Sequence, residues 1–166
     1  MIQVEIDTSR LEALFERLAK AAASPAPAMR AVAGVMLDAV EENFVQEGRP
    51  RWLGLKPGYR TGGRILNNTG RLAGSLVKSS DATGAQVKAG NSEVKYAAIH
   101  QFGGQTRPHL IVARNAKALK FGNRYAKSVK HPGSKIPARP FLKLMPEDEA
   151  EIEFTVSNYL RQVIER

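Results

Sequence analysis

The sequence predicts an α+β fold, in which an N-terminal helical hairpin and a C-terminal helix pack on a small, mainly antiparallel sheet with a long basic loop or hairpin. Apolar residues recur at helical spacing near both ends of the chain, and strand-like segments separated by turn residues fill the middle. This order of elements is typical of an α+β domain. Because 166 residues is the usual length of one domain, we expect a single domain over residues 1–166.

The N-terminal third begins with an alternating strand at residues 2–6 and continues into two helices. The first helix is predicted over residues 9–22, where Ser9 and Glu12 have the spacing of a capping box. A proline-rich break ends it, and a second helix follows over residues 27–47. We expect the two helices to pack as a hairpin. The residues predicted at their contact are Leu14, Phe15, Met36 and Val40.

The middle of the chain alternates irregular loops with short elements. Residues 48–68 form a glycine-rich loop, in which Trp52 is predicted to cover the helices. The elements predicted after it are strands at 75–80 and 85–90 with a turn at 81–84, a short helix at 96–102 and a strand at 109–113. In the short helix, Tyr96, Ile99 and Phe102 are predicted to be buried, which leaves His100 facing outward.

The C-terminal part is predicted to be a stiff segment followed by a helix. Residues 136–142 should be extended, because each proline disfavours helix in the residue before it. Pro146 then begins a helix whose first turn is acidic, as the helix dipole favours. Its predicted apolar stripe is Ile152, Val156, Tyr159, Leu160 and Val163.

Charge is distributed unevenly along the chain. Residues 1–47 hold 4 basic and 8 acidic residues, residues 48–146 hold 19 and 2, and residues 147–166 hold 2 and 6. Two interpretations remain open. The basic block is either neutralised by acidic helices of this chain or a neighbour, or it contacts nucleic acid or an acidic partner. The candidate partner or DNA contacts are Arg114, Lys117, Lys120, Arg124, Lys127, Lys130 and Lys135.

The most basic segment is an excursion over residues 105–135, with 8 basic residues and no acidic one. Such a segment repels itself, yet it also carries apolar residues. We therefore expect it to be flexible in the free subunit and to become ordered on assembly against an acidic neighbour. It has no regularly spaced aromatic residues and no helix-turn-helix signature, which argues against dedicated DNA binding.

The composition and motifs argue against an enzyme and predict no cofactor or metal. The chain has no cysteine, so thiolate chemistry is excluded. Its three histidines lie far apart without metal-ligand spacing, and no phosphate-binding loop or nucleophile elbow occurs. No run of 18 apolar residues and no signal-peptide pattern is present, so we expect synthesis in the cytoplasm and no membrane partner.

Three motifs resemble motifs of the phage virion morphogenesis family of Mu-like tail-completion proteins and occur in the same order along the chain. They are ILNNTGRL at 65–72 followed by Ser75, YAAIHQFGG at 96–104 and IPARPFL at 136–142. A fourth stretch, EGRPRWLGL at 47–55, also matches. The residues of these motifs with expected structural roles are Thr69, Gly70, Arg71, Leu72, Tyr96, His100, Phe102, Gly103, Arg139, Pro140 and Phe141.

The resemblance implies a structural virion protein of tailed phages or tail-like particles, distantly similar to lambdoid minor tail proteins. Its expected place is the neck or tail end, in tail completion and head–tail joining, as a ring subunit made in the bacterial host. The implied partners are further copies, the head–tail connector and tail-tube or tail terminator proteins. The alternative is a non-specific DNA-binding protein that uses residues 105–135.

Two of these motifs have direct physical interpretations. Thr69 can cap the following turn, Gly70 can adopt a conformation that other residues resist, and Leu72 can anchor the segment in the core. Arg139 is predicted to make a bidentate bond to a carboxylate of the acidic helix at 147–153, in its own or a neighbouring copy. The alternative for all of these residues is maintenance of the fold alone.

Overall fold

The computed structural model describes residues 8–59 and 62–165. The described helices are α1 (Ser9–Ala23), α2 (Ala26–Val45), α3 (Ala97–Phe102) and α4 (Pro146–Glu165). The described strands are β1 (Val77–Ser80), β2 (Ala85–Lys88), β3 (Gly104–Gln105), β4 (His109–Val112), β5 (Leu119–Phe121), β6 (Arg124–Ala126), β7 (Ser128–His131) and β8 (Lys135–Ile136). The strand predicted at residues 2–6 lies outside the described residues. None of the described helices is long and apolar enough to cross a membrane.

The chain separates into two compact units. The helical unit comprises residues Met1–Lys95 and Phe141–Arg166, and the hairpin unit comprises Tyr96–Pro140. The predicted α+β class is confirmed, since helices and small antiparallel ladders both occur. The assignment of all 166 residues to a single domain stays a prediction.

Helix α2 is the centre of the helical unit, because α4 and the β1–β2 hairpin both pack against it. Its buried side includes Val32, Val40 and Phe44, as the helical spacing predicts. The two strands pair antiparallel, with Val77 opposite Lys88 and Ser80 opposite Ala85. This arrangement leaves α2 covered on several sides by elements that are distant in sequence.

The turn between β1 and β2 forms at residues 81–84, as predicted. The carboxylate of Asp81 accepts hydrogen bonds from the Thr83 hydroxyl and backbone N–H, both at 2.6 Å, and from the Gly84 N–H at 3.0 Å. The Thr83 hydroxyl, followed by these two N–H groups, holds the pKa of Asp81 below its ordinary value. The ionised side chain of Asp81 therefore stabilises the turn.

Helix α1 is confirmed, but the burial predicted for Phe15 is wrong, since its side chain is 60% exposed. The predicted packing of α1 against α2 as a hairpin is not observed, since α1 packs on α4 instead, and its less exposed side follows Leu14, Leu18 and Ala21. Phe15 projects about 100° around the helix from Leu14 and so points away from that contact. The residue before the helix is Thr8 rather than Ser9, and its hydroxyl donates to Glu12 Oε1 at 2.8 Å.

An aromatic cluster closes the core of the helical unit. The Trp52 ring meets Phe44 edge-on with centroids 5.9 Å apart, and Phe141 lies 5.3 Å from Phe44. Phe141 is fully buried, and Trp52 covers α2 as predicted. Gly48 permits this approach, because its φ is +102° and a Cβ there would lie 2.5 Å from the Trp52 ring.

A buried ion pair joins the loop after α2 to the first turn of α4. Arg49 Nη1 and Nη2 donate to Asp148 Oδ1 and Oδ2 at 2.9 and 2.8 Å, which is a bidentate arrangement. The same guanidinium donates to the Ala39 carbonyl and to Asn43 Oδ1, both at 2.9 Å. Asp148 also accepts from the Met145 N–H at 2.8 Å, which caps the start of α4.

Asn43 extends this network to the chain that enters α4. Its amide nitrogen donates to the carbonyls of Phe141 and Lys143, at 2.9 and 2.8 Å. Asn43 is fully buried, and its side chain has both its oxygen and its nitrogen bonded. The network therefore satisfies the polar groups that it buries.

Helix α4 is confirmed, but its predicted apolar stripe is only partly covered. Ile152, Val156 and Val163 are half-buried, whereas Leu160 is 39% exposed. Phe154, on a different side of the helix, is 59% exposed. One side of α4 thus packs in the helical unit while other sides keep apolar groups in contact with water.

The hairpin unit is built around one long antiparallel excursion. Strands β3 and β8 pair, β4 and β7 pair, and β5 and β6 form the tip across Gly122 and Asn123. The β3–β8 and β4–β7 ladders share one register, since Gly104 lies opposite Ile136 and Val112 opposite Ser128. Of the two forms predicted for this excursion, the structure shows the hairpin; its mobility in the free subunit stays a prediction.

Short helix α3 is confirmed, but the burial predicted for Tyr96 and Phe102 is wrong, and so is the outward orientation predicted for His100, whose Nδ1 is buried. Phe102 is 79% exposed and Tyr96 39% exposed, while Ala97 is buried. Phe102 is the last residue of a helix of only six residues, so no further turn covers its side chain. Gly103, with φ +71°, ends the helix.

The Arg49–Asp148 pair should dominate the stability of the helical unit. We expect Asp148→Asn or Arg49→Lys to lower the free energy of unfolding by about 3–5 kcal/mol, because each change leaves buried polar groups unpaired. The matched control is Lys20→Gln in the exposed Glu16–Lys20 pair, which should cost less than about 1 kcal/mol. Urea denaturation measures both, and equal losses would contradict the assignment.

Candidate functional site

The candidate site is the basic hairpin, defined as residues 104–136. All seven predicted contact residues are exposed there. Arg114 and Lys117 lie in the loop between β4 and β5, Lys120 on β5, Arg124 on β6, Lys127 between β6 and β7, Lys130 on β7 and Lys135 on β8. The structure therefore places these cations on one hairpin, and their role as partner or DNA contacts stays a prediction.

Apolar side chains are interleaved with these cations. Leu110 is 56% exposed and lies opposite Lys130, on the same side of the strands as exposed Val112. Tyr125 is 68% exposed and lies opposite Lys120, whose Nζ is 6.0 Å from the ring centroid. The hairpin thus offers a partner both positive charge and apolar area.

The net charge of the protein resides on the hairpin unit. Tyr96–Pro140 holds nine of the 25 basic residues and none of the 16 acidic ones, so the rest of the chain holds sixteen of each. No cation of the hairpin unit can therefore form an ion pair within that unit. The eight cations at residues 107–135 are exposed to solvent, whereas Arg139 is buried.

Two of the recognised motifs meet at the base of the hairpin. The backbone N–H of Arg139 donates to the His100 carbonyl at 2.7 Å. At Gly103 a Cβ would lie 2.8 Å from the backbone nitrogen of Ala138, so the two segments approach as closely as glycine allows. Arg139 is buried, and its predicted bond to a carboxylate stays a prediction.

The structure divides the remaining motif residues between the two units. Gly70 has φ +74° and Leu72 is buried in the helical unit, as predicted, while Thr69 and Arg71 are exposed. Phe141 also belongs to the helical unit. The motif residues that lie in the hairpin unit are Tyr96, His100, Phe102, Gly103, Arg139 and Pro140. The motifs therefore have separate structural settings.

Sequence reasoning did not single out Arg49 or Glu47, although both belong to the EGRPRWLGL stretch. Glu47 accepts the backbone N–H of Ile65 at 2.7 Å, which holds the pKa of this carboxyl below its ordinary value. Asp148, one of the carboxylates considered for Arg139, is bonded by Arg49 instead. The only signal in the sequence was the motif itself, which did not reveal the partner.

Two histidines that are distant in sequence face each other in the hairpin. His109 lies opposite His131 with ring centroids 5.1 Å apart. His109 Nδ1 donates to the Arg107 carbonyl at 3.1 Å, and His131 Nδ1 accepts from the Gly133 N–H at 3.0 Å. Across residues 8–59 and 62–165, no group of three or more potential metal ligands occurs.

His100 makes the stability of the protein depend on pH. Burial, followed by the charge of Arg139, lowers the pKa of His100, and its Nδ1 has no partner among the described residues. Below about pH 6.5, His100 takes up a proton in the unfolded chain but resists it in the folded one. The free energy of unfolding should therefore decrease as the pH is lowered through this range. His100→Gln should flatten this dependence in urea titrations, whereas His109→Gln, at an exposed ring, should keep it. Identical pH dependence in wild type and His100→Gln would contradict the assignment.

Comparison with known proteins places this chain among phage proteins. The model of the phage virion morphogenesis family matches residues 6–161. The Mu-like prophage FluMu G protein 2 of Haemophilus influenzae is 37% identical over 165 residues, which cover 99% of each chain. No solved structure matches the chain. The chain belongs to the phage virion morphogenesis family.

Proposed function

We propose that this protein is a structural, non-enzymatic subunit of a tailed phage or phage-tail-like particle. Its role is tail completion and head–tail joining at the neck or tail end, as one subunit of a ring. Family membership over nearly the whole chain supports a part in virion morphogenesis. The observation that carries the specific proposal is the hairpin unit, whose nine cations have no carboxylate within that unit.

The basic hairpin has the chemistry of an assembly surface. Exposed cations alone give long-range attraction that salt screens, whereas exposed Leu110, Val112 and Tyr125 add area that is buried only on contact. In the proposed role, the partners are neighbouring copies, the head–tail connector and tail-tube or tail terminator proteins. The protein is made in the bacterial host cytoplasm and retained in the virion.

Loss of the hairpin charge should interrupt particle assembly. In the phage or prophage that encodes this chain, a variant with Lys120→Glu, Arg124→Glu, Lys127→Glu and Lys130→Glu should yield separate heads and tails by electron microscopy. The matched control, Lys56→Glu with Lys88→Glu, changes exposed cations of the helical unit and should support complete particles. Complete tailed particles formed without this protein would refute the proposed function.

Non-specific DNA binding is the second candidate, favoured by the exposed cations beside exposed Phe121 and Tyr125. Such binding would come from phosphate neutralisation, so its affinity should not depend on sequence. With six or seven contacts, the affinity should fall roughly a thousandfold or more between about 50 and 200 mM salt. Titration of unrelated duplexes measures this, and a marked preference for one sequence would contradict it.

A further inference from the structure

We propose that the basic hairpin of one copy docks on the exposed acidic and apolar face of α4 in a second copy. This inference deepens the proposed assembly function and rests on it. The docking surface is the side of the hairpin that carries Leu110, Val112 and Lys130, together with the other lysines of residues 117–135. Its occupant is the outer surface of α4, on which Glu147, Glu151 and Phe154 lie along one side and Glu149 and Glu153 along another.

The acidic residues of α4 are not explained by the helix itself. The helix dipole favours carboxylates in the first turn, but Glu151 and Glu153 lie beyond it. Glu147 with Glu151, and Glu149 with Glu153, are like-charge pairs at i,i+4 spacing, which destabilise a helix. Since all four are exposed, the helix retains a local cost that a cationic partner would remove.

Most of this charge is also uncompensated within the helical unit. Glu147 lies 3.6 Å from Arg49, and Asp148 points inward to the same guanidinium. Among the described residues of that unit, no lysine or arginine lies within 4.0 Å of a carboxylate oxygen of Glu149, Glu151 or Glu153. These three carboxylates are opposite in charge to the cations of the hairpin and are exposed as those cations are.

The apolar groups favour a protein over DNA as the occupant. Phe154 is 59% exposed and follows Glu151 by three residues, so both lie on one side of α4. On the hairpin, Leu110 and Val112 share a side with Lys130. Each surface therefore combines apolar area with charge, and the charges are opposite. A phosphate backbone would use the lysines but would leave the two aliphatic residues without apolar contact.

The two surfaces are different, so the contact between copies is head-to-tail. Each copy that uses its hairpin still presents a free α4 face to a further copy. A heterologous contact of this kind closes into a ring when the rotation per subunit permits it. The inference thus supplies the specific interface that the proposed ring requires.

Carbodiimide cross-linking of isotope-mixed protein tests the contact directly. Equal amounts of ¹⁴N and ¹⁵N full-length protein are mixed and treated with carbodiimide, which couples lysine amines to touching carboxylates. We expect mixed-isotope peptides that join lysines of 117–135 to Glu149, Glu151 or Glu153. The inference is overturned if these peptides are absent both from the purified particles and from the free protein at the highest concentration at which it stays in solution. It is also overturned if every such peptide contains only one isotope.

Charge reversal provides an independent readout by sedimentation equilibrium. Glu151→Lys with Glu153→Lys, or Lys127→Glu with Lys130→Glu, should weaken self-association about tenfold or more. A chain that combines all four changes should recover it, because the contacts are again opposite in sign. The matched control, Glu41→Lys with Glu93→Lys, should associate as wild type does, since both glutamates are exposed elsewhere on the helical unit. Unchanged association in the first two variants would overturn the inference.

The outcomes separate this inference from the function on which it rests. Particles that contain the protein but yield no hairpin-to-α4 cross-links would refute the interface and leave the structural role intact. Complete particles formed without the protein would refute the role, whatever the cross-links show. Duplex DNA bound at the hairpin, with mixed-isotope cross-links absent before DNA is added, would favour the DNA-binding alternative and overturn the interface.

Discussion

The helical unit depends on the pairing of one arginine with one aspartate. Arg49 binds Asp148 through both guanidinium nitrogens, and the same guanidinium reaches Ala39 and Asn43 on α2. Because a buried charge is costly unless it is paired, this contact requires α2, the loop after it and α4 to adopt one relative arrangement. The aromatic cluster adjoins this network, since Phe44 follows Asn43 and the Phe141 carbonyl accepts from the Asn43 amide.

The two units use charge in opposite ways. In the helical unit, Arg49 is half-buried and Asp148 is buried, and the bidentate bond between them neutralises both charges within the unit. In the hairpin unit, nine cations lie on a chain segment with no carboxylate, so none of them forms an ion pair within that unit. The charges of the helical unit therefore sum to zero, whereas those of the hairpin unit sum to +9, which is the net charge of the protein.

Local sequence patterns predicted the local structure, whereas the features that depend on long-range contacts could not be predicted from such patterns. The turn at Asp81 and the helix from Pro146 depend on neighbouring residues, so sequence sufficed for them. The exposure of Phe15 could not be predicted in this way, because helical spacing does not indicate which side of α1 meets α4. The Arg49–Asp148 pair joins residues 99 positions apart, and no spacing rule reveals such a partner. The cations of the candidate site were predictable from composition, whereas their apolar neighbours required the strand register.

The shared register of the hairpin arms constrains how this segment can change in length. The ladder with Gly104 opposite Ile136 and the ladder with Val112 opposite Ser128 keep the same register, while six residues at 113–118 oppose Lys127 alone near the tip. A one-residue insertion inside an arm would turn every later side chain to the other side of the strands. Paired insertions of two residues in both arms, or any change at 113–118, would preserve the sides. The reach of the hairpin can therefore vary between related proteins in matched steps, while its base and the α3 turn stay the same.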